Sequence, residues 1–492
     1  MPPFIPALNA FQQRLYGIPR LQIGLSVDCY SPDIFDLMRR LESRHLRPGY
    51  LEVFKATVAA MKAVRTEFPS MPLAYHGEGL WVTQPDFLQR STLDEEIQEA
   101  VSQLGMLGSH WLNHECASKQ FAGYSFGTYL PPLYTIESAA IIAENIDEVQ
   151  RRLDRAQGGI GPLFLLEMPP LTYFGVGTMP IPEFFQHIAH LVSCGFVLDL
   201  GHLWTVYRYG GACKTMTLTE FVEDFIDRFP MDRVVEIHIA GLSQHESLDQ
   251  SSGRDAHPMW IDAHAASIPP VLLDLLELVL EHRQLISLRG VALEVDTKPI
   301  DLTVHEYENI TRRFRDRIGA IMDDRERNGQ ASATALDDRC AYDAHVSSEH
   351  RGRLSEDYKN YAKVLTGQMT PSGDMWAEVL KDRIGFDCYQ SAYLPHEILC
   401  WGGELTTMFP DTCRELARSG VPLRSIVNWW FRDAMPSDRS YDFFLLKIER
   451  MTQFVIEHAP SLKSIVEREA DLMRQAYHDA NENIDPAGAA TR

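Results

Sequence analysis

VVEIHIAGLSQHESLDQSSGRDAHPMWIDAH, Val234 to His264, holds both the strand pattern and the chemistry on which the fold turns. In Val234–Ile239, β-branched residues alternate with Glu236 and His238, the period of a strand that sends an acid and an imidazole to one face. A polar excursion follows, ending in a second acid and imidazole, Asp262 and His264, two residues apart. An edge strand with solvated polar residues would read the same way. Two acid/imidazole pairs returned to each other by one loop also have the donor types that ligate a transition metal. Both readings stand on this stretch alone.

Outward from it, short apolar runs alternate with helical periodicity. Leu21–Val27 is a strand, followed by Ser31-Pro32 as cap and first position of a helix to Ser43. Tyr50–Phe54 and Ala56–Phe68 repeat the pair, and Pro72–Gly77 is a third strand carrying His76. A Thr92–Glu95 capping box opens a helix, with Met106–His110 as the fourth strand and Ile136–Arg155 as the next helix. Phe164–Glu167, Gly195–Asp199 and Val291–Glu294 are further strands, with a helix over Pro182–Ser193. With Val234–Ile239 these make eight. Near-continuous apolar strands alternating with helices imply a parallel sheet, and eight repeats imply closure into an α/β (β/α)8 TIM barrel.

A 492-residue chain exceeds one ordinary domain. With 45% hydrophobic residues it can bury a core, and it has no apolar run long enough to span a membrane. The opening residues show no secretory pattern, and eight scattered cysteines form neither a disulfide framework nor a CxxC site, so a cytoplasmic, reducing home is expected. A net charge of -22 argues against nucleic acid as a partner.

Barrels of this type build their sites at the carboxyl ends of the strands. His76, His110, Glu167, Asp199, Glu236, His238 and Glu294 fall at or near such ends, with His202 just beyond Asp199 and Asp262 and His264 after the loop. The expected metal ligands are His76, His110, Glu167, Asp199, His202, His238, Asp262, His264 and Glu294, with Glu236 and His245 open. One zinc takes about four ligands, so this many donors favour two or three ions, and imidazole with carboxylate suits iron, manganese or zinc.

PLAYHGEGL with His76, LGSHWLNHE with His110, FLLEMPP with Glu167, FVLDLGH with Asp199, VVEIHIAG with His238, IDAH with Asp262 and His264, and ALEVD with Glu294 resemble, in order and spacing, the multinuclear iron-dependent oxidases related to the methanobactin-biosynthesis oxidase. The resemblance covers about residues 20 to 320. It implies a xylose-isomerase-like barrel that binds two or three irons, Fe(II) and Fe(III), and uses dioxygen to modify cysteine or another residue of a ribosomally made precursor peptide. Ser109, the Gly201-His202 pair and Leu242 stand where the family tends to have Asp, Asn-Asn and His. Rival readings on the same fold are a divalent-metal sugar isomerase, an apurinic-site endonuclease and a non-catalytic relative.

The expected organisation is a barrel over 1–322, a polar, charge-mixed linker over 323–357 and a helical domain over 358–492. In the last, Met375–Ile384, Gln390–Met408, Tyr441–Ala459 and Leu462–Ala480 have helical spacing, and Trp429, Trp430 and Phe431 read as core. From about Cys388 to Ala470 it is faintly similar to the helical part of the partner proteins that accompany these oxidases. That likeness implies peptide recognition fused in cis.

Overall fold

The computed structural model describes residues 10–245, 259–332, 346–435 and 439–482. Its strands are β1 Gln22–Val27, β2 Leu51–Phe54, β3 Leu73–His76, β4 Trp111–Glu115, β5 Ser118–Phe121, β6 Tyr124–Leu130, β7 Leu163–Glu167, β8 Gly195–Asp199, β9 Val234–Ile239, β10 Leu242–His245, β11 Met259–Asp262 and β12 Gly290–Glu294. Eight close into a parallel barrel, in the order β1-β12-β9-β8-β7-β4-β3-β2, while β5–β6 and β10–β11 are antiparallel pairs outside it. Helices α1 Ala10–Gly17, α2 Ile34–Ser43, α3 Val58–Glu67, α4 Leu93–Leu107, α5 Ile136–Gln157, α6 Ile181–Leu191, α7 Leu200–Tyr209, α8 Leu218–Arg228, α9 Pro270–Glu281 and α10 Ile300–Ser332 complete this half. The (β/α)8 barrel and the helical region after it are as expected.

Local chemistry sets the boundaries. Thr135 caps α5 by accepting from the Ser138 amide, and Gly158 ends it in the left-handed region. Three expected boundaries are corrected. The Asp33 carboxylate, not Ser31, caps α2, accepting from the Phe35 and Asp36 amides. Thr92 makes no side-chain cap, its hydroxyl donating instead to Glu96; the capping box is Thr217 with Glu220. The fourth strand begins at Trp111, because the Met106–Leu107 run is the last turn of α4, ended by Gly108 at φ +62. A short apolar run cannot by itself separate helix from strand.

Inside the barrel the lower layers are dry. Tyr50, Ala74, Trp111, Leu163, Leu165, Val197 and Ala292 pack together, and Phe11, Leu15 and Ile18, in and just after α1, pack into the same cluster. The helix-facing surfaces of the strands form the larger core with α2 to α10.

Helix α10 continues to Ser332 and a helix starts again at Ser348, so both flanks of the expected linker are helical. Its Arg, Glu and Asp residues are compatible with a helix even though they lack an apolar stripe. Residues 333–345 lie outside the described set. Beyond them the chain is helical, and its core is continuous with barrel excursions: Phe121, Phe126, Tyr173 and Phe174 share one cluster with Tyr358, Phe386, Tyr389, Trp430 and Phe431. The Trp430 indole donates to the Ser125 carbonyl at 2.8 Å. Gly127, at φ +78, leaves no room for a Cβ, which would stand 2.5 Å from the Phe443 ring. The expected helix over Gln390–Met408 is broken: Tyr389–Tyr393 is a π-helical turn before Leu394–Cys400, and Leu405–Met408 follows separately.

No helix among the described residues is long and apolar enough to cross a membrane. The described cysteines are all free.

Glu397, on the helix Leu394–Cys400, is buried, and burial pushes its carboxyl up to about 7 against the pull of Lys119 and Lys447. A folded value above the unfolded one, near 4.5, means that its contribution is fully present below 4.5 and is lost as pH rises through about 7. Glu397→Gln is therefore expected to change stability little at pH 5 and to raise it by on the order of 2 kcal/mol at pH 8. Thermal melts at both pH values test this; an equal shift at the two would rule out titration as its cause.

Candidate metal centre

The period of two in a parallel strand places Trp111, Asn113 and Glu115 of β4 on one face, and Glu236 and His238 of β9 likewise. Register then sets the neighbours, pairing Glu115 with Glu167, Asp199 with His238, and Ser26 with both Glu52 and Glu294. Above the dry layers, the barrel thus collects acids and imidazoles at its carboxyl end. Glu236 and His238 are fully buried, which removes the reading of an edge strand with solvated residues.

Glu167 is the hub. Its Oε2 accepts from Asn113 Nδ2 at 2.7 Å and lies 3.9 Å from His76 Nε2, and its Oε1 lies 3.1 Å from His238 Nδ1 and 3.8 Å from His202 Nδ1. Glu294 Oε1 is 3.5 Å from His238 Nδ1, and its Oε2 is 3.5 Å from His264 Nε2. Asp262 Oδ2 lies 3.2 Å from His264 Nε2 and 3.3 Å from His202 Nε2. Asp199 caps α7 by accepting from the His202 amide at 2.6 Å, which brings His202 in from the first turn of a helix. Gly201 keeps a gap open, since a Cβ there would stand 3.1 Å from Oδ1 of both Asp199 and Asp262.

Three triads have ligand atoms close enough to hold an ion each: Glu115, Glu167 and His202; Glu167, His238 and Glu294; Asp262, His264 and Glu294. Glu167 joins the first to the second and Glu294 the second to the third. A fourth group, Glu52, Glu236 and His238, lies deeper.

Of the sequence-predicted ligands, His76, Glu167, Asp199, His202, His238, Asp262, His264 and Glu294 come together. His110 does not: it is exposed at the amino end of β4, where its carbonyl accepts from the Leu163 amide. The misplaced strand boundary put it at the wrong end, and Glu115, the true last residue of β4, takes the place in the cluster. Glu52, Asn113 and Asp296 were also missed. A lone acid in the apolar run YLEVF was the available signal for Glu52. His245 lies in β10, but its side chain is outside the described set.

The charge balance calls for cations. Carboxylates of Glu52, Glu115, Glu167, Asp199, Glu236, Asp262, Glu294 and Asp296 face the imidazoles of His76, His202, His238 and His264. Among the described residues no Lys or Arg is ion-paired to them. Glu115 Oε2, Asp199 Oδ2, Asp262 Oδ1, Glu294 Oε2 and both His76 nitrogens are buried without hydrogen-bond partners. Uncompensated buried charge is costly, so such a set is stable when it coordinates metal. Without an ion, protons fill in. Burial, together with Glu167, pushes Glu115 well above the usual carboxylate range. Burial resists charge on His238, yet Glu167 and Glu52 hold it well above the ordinary imidazole value. Burial also opposes ionisation of Glu294, but His264 and His238 bring it down to about 2. Oxygen and nitrogen donors without thiolate fit divalent iron, manganese or zinc.

Residues 38–314, more than half of the chain, match the family model described as RiPP precursor modification enzyme MbnB/TglH/ChrH. Among curated proteins the chain is similar to the UPF0276 protein of Psychromonas ingrahamii, 23% identical over 238 residues, 48% of this chain and 74% of that protein. It is also similar to the UPF0276 protein VP3015 of Vibrio parahaemolyticus, 24% identical over 217 residues, 44% of this chain and 66% of that protein. Among solved structures it is similar to endonuclease IV from Thermus thermophilus, with a TM-score of 0.35 and 13% identity over 61% of this chain and 99% of that one.

Proposed function

The chain belongs to the MbnB/TglH/ChrH family of RiPP precursor modification enzymes, and from that membership we propose that it is a multinuclear non-haem iron enzyme that uses dioxygen to oxidise a residue, cysteine, of a ribosomally synthesised precursor peptide. The observation that carries the proposal is the run of three triads sharing Glu167 and Glu294, with, among the described residues, no thiolate in them and no Lys or Arg among their charge partners. When bound there, iron supplies the redox chemistry, activating dioxygen and making a substrate thiolate oxidisable.

The chain's own residues have separable tasks. Glu167 and Glu294 each offer an oxygen to two neighbouring positions, His202, His238 and His264 offer one imidazole nitrogen each, His76 stands beside the triads with Nε2 3.9 Å from Glu167, and Asp199 and Asp262 face each other across the gap at Gly201. Of these side chains His264 is the most open, at 27%, with Asp296 behind it at 30%. The peptide side chain enters there, and the buried side of the cluster excludes water.

In the same reading residues 1–322 carry the chemistry and 358–492 hold the peptide. Tyr393, on the π-helical turn of the helical half, stacks edge-on against Tyr173 at 5.4 Å and lies 3.4 Å from Thr128, which supports a role for this half in lining the approach.

The test is anaerobic purification, elemental analysis and Mössbauer spectroscopy, followed by incubation with dioxygen and a cysteine-bearing peptide encoded beside the gene. Two or more irons and a mass change in the peptide are expected. One stoichiometric zinc with no iron-dependent product would end the oxidase reading.

A further inference from the structure

We propose that Glu52 is the positioning residue for two of the histidines, fixing which nitrogen His76 and His238 turn toward the metal centre; the inference rests on the metal reading above. Each of the four histidines turns one nitrogen to an oxygen that belongs to none of the three triads. His202 Nδ1 donates to the Met168 carbonyl, leaving Nε2 for Asp262. His264 Nδ1 lies 3.1 Å from Asp296 Oδ2, leaving Nε2 for Asp262 and Glu294. For His76 and His238 the outward nitrogens, neither of them hydrogen-bonded, converge at ion-pair distance on a single atom: Glu52 Oε1 is 3.4 Å from His76 Nδ1 and 3.1 Å from His238 Nε2. The opposite nitrogens, His76 Nε2 and His238 Nδ1, both face Glu167. A metal-bound imidazole whose free N–H is held by a carboxylate keeps its tautomer and ring plane and is a stronger ligand.

Glu52 is itself held for this task. It is fully buried on β2, Ser26 Oγ donates to its Oε1 at 3.1 Å, and the Trp111 indole donates to its Oε2 at 3.4 Å. Glu236, the other acid at this depth, accepts from the Tyr50 hydroxyl, and its Oε2 stands farther from His238 Nε2, at 3.6 Å. Protein donors thus already occupy both oxygens of Glu52, whereas Glu236 keeps Oε2 bare, as the triads above keep bare oxygens. This sets Glu52 apart, as a carboxylate already held by the protein, from the carboxylates with an oxygen to spare for an ion.

The decisive measurement uses the full chain, selectively ¹⁵N-labelled at histidine and loaded with Zn(II), which is diamagnetic. Long-range ¹H–¹⁵N correlations are expected to show His76 protonated at Nδ1 and bound through Nε2, and His238 protonated at Nε2 and bound through Nδ1. E52Q keeps the volume but presents an amide N–H to either the rings or Trp111, and is expected to weaken Fe(II) binding about 10- to 100-fold in chelator competition and to alter the protonation pattern of both rings. E52D should recover part of the affinity, since it restores an acceptor on both sides. Opposite ring connectivity in the wild-type chain overturns the proposal even if E52Q fails to fold. Unchanged Fe(II) affinity and ring pattern in E52Q overturns it while leaving the metal reading intact. A wild-type chain that takes up neither ion removes both.

Discussion

Glu167→Gln is expected to lower metal affinity by about 100-fold or more and to leave the purified protein nearly free of iron. The size of the effect follows from the position of the side chain. Glu167 is the only residue common to the first two triads, so one substitution weakens two neighbouring positions. Asn113 Nδ2 donates to Oε2, and His238 Nδ1 lies 3.1 Å from Oε1. A glutamine amide turned toward Asn113 therefore opposes a donor with a donor, and turned toward His238 it opposes the N–H of the charged, metal-free ring. It also removes a charge that holds His238 in its charged state when metal is absent. Elemental analysis of protein purified without oxygen is the check, and a variant with wild-type iron content would remove Glu167 from the centre. His110→Ala is the matched control, because His110 is exposed at the opposite end of the barrel and should leave the metal content unchanged.

The second large effect concerns the join between the two halves. A chain stopped after Ser332 is expected to aggregate rather than persist as a free barrel. Phe121 stacks on Tyr358 at 5.1 Å and Phe126 on Phe431 at 5.4 Å, while Tyr173 meets Tyr393 edge-on at 5.4 Å and Phe174 meets Phe386 edge-on at 5.3 Å. Uncovering four such side chains at about 1.5–3 kcal/mol each removes on the order of 10 kcal/mol, comparable to the net stability of a whole domain. It also leaves a contiguous apolar patch of the kind that drives association. Trp430→Ala makes the same point within an intact chain: loss of a buried indole and of its bond to the Ser125 carbonyl should lower stability by about 3–5 kcal/mol. Soluble yield, dye binding to exposed apolar surface and thermal melts measure both. A truncated chain that is monomeric and melts like the full protein would show that the shared core contributes little.

The barrel was readable because parallel strands buried on both faces are short, nearly continuous apolar runs, and Gly195–Asp199 and Val234–Ile239 match those expected residue for residue. Polar residues at the ends of such runs have few other reasons to be there, which is why Glu167, Asp199, His238 and Glu294 could be singled out. The failures have physical causes. Met106–His110 is apolar enough for either a strand or the end of a helix, and only tertiary packing decides. Glu52 lies inside a strand rather than at its end, so its place under two imidazoles depends on ring closure, which pairs residues far apart in the chain. The join between the halves was hidden for a related reason. Phe121, Phe126 and Trp430 each satisfy the pattern of an ordinary core residue, and nothing in a local pattern says whose core it is.

The β10–β11 ladder pairs Leu242 with Asp262 and His245 with Met259. The Ala263 amide donates to the Gly241 carbonyl at 2.9 Å, and a Cβ on Gly241 would collide with the Ala266 carbonyl. Asp262 is thus placed by a backbone ladder rooted in the end of β9. A single residue inserted within Met259–Asp262 slips the register and turns the carboxylate to the opposite face. Heritable variation at Asp262 is therefore constrained by the length of this strand as well as by the identity of its last residue.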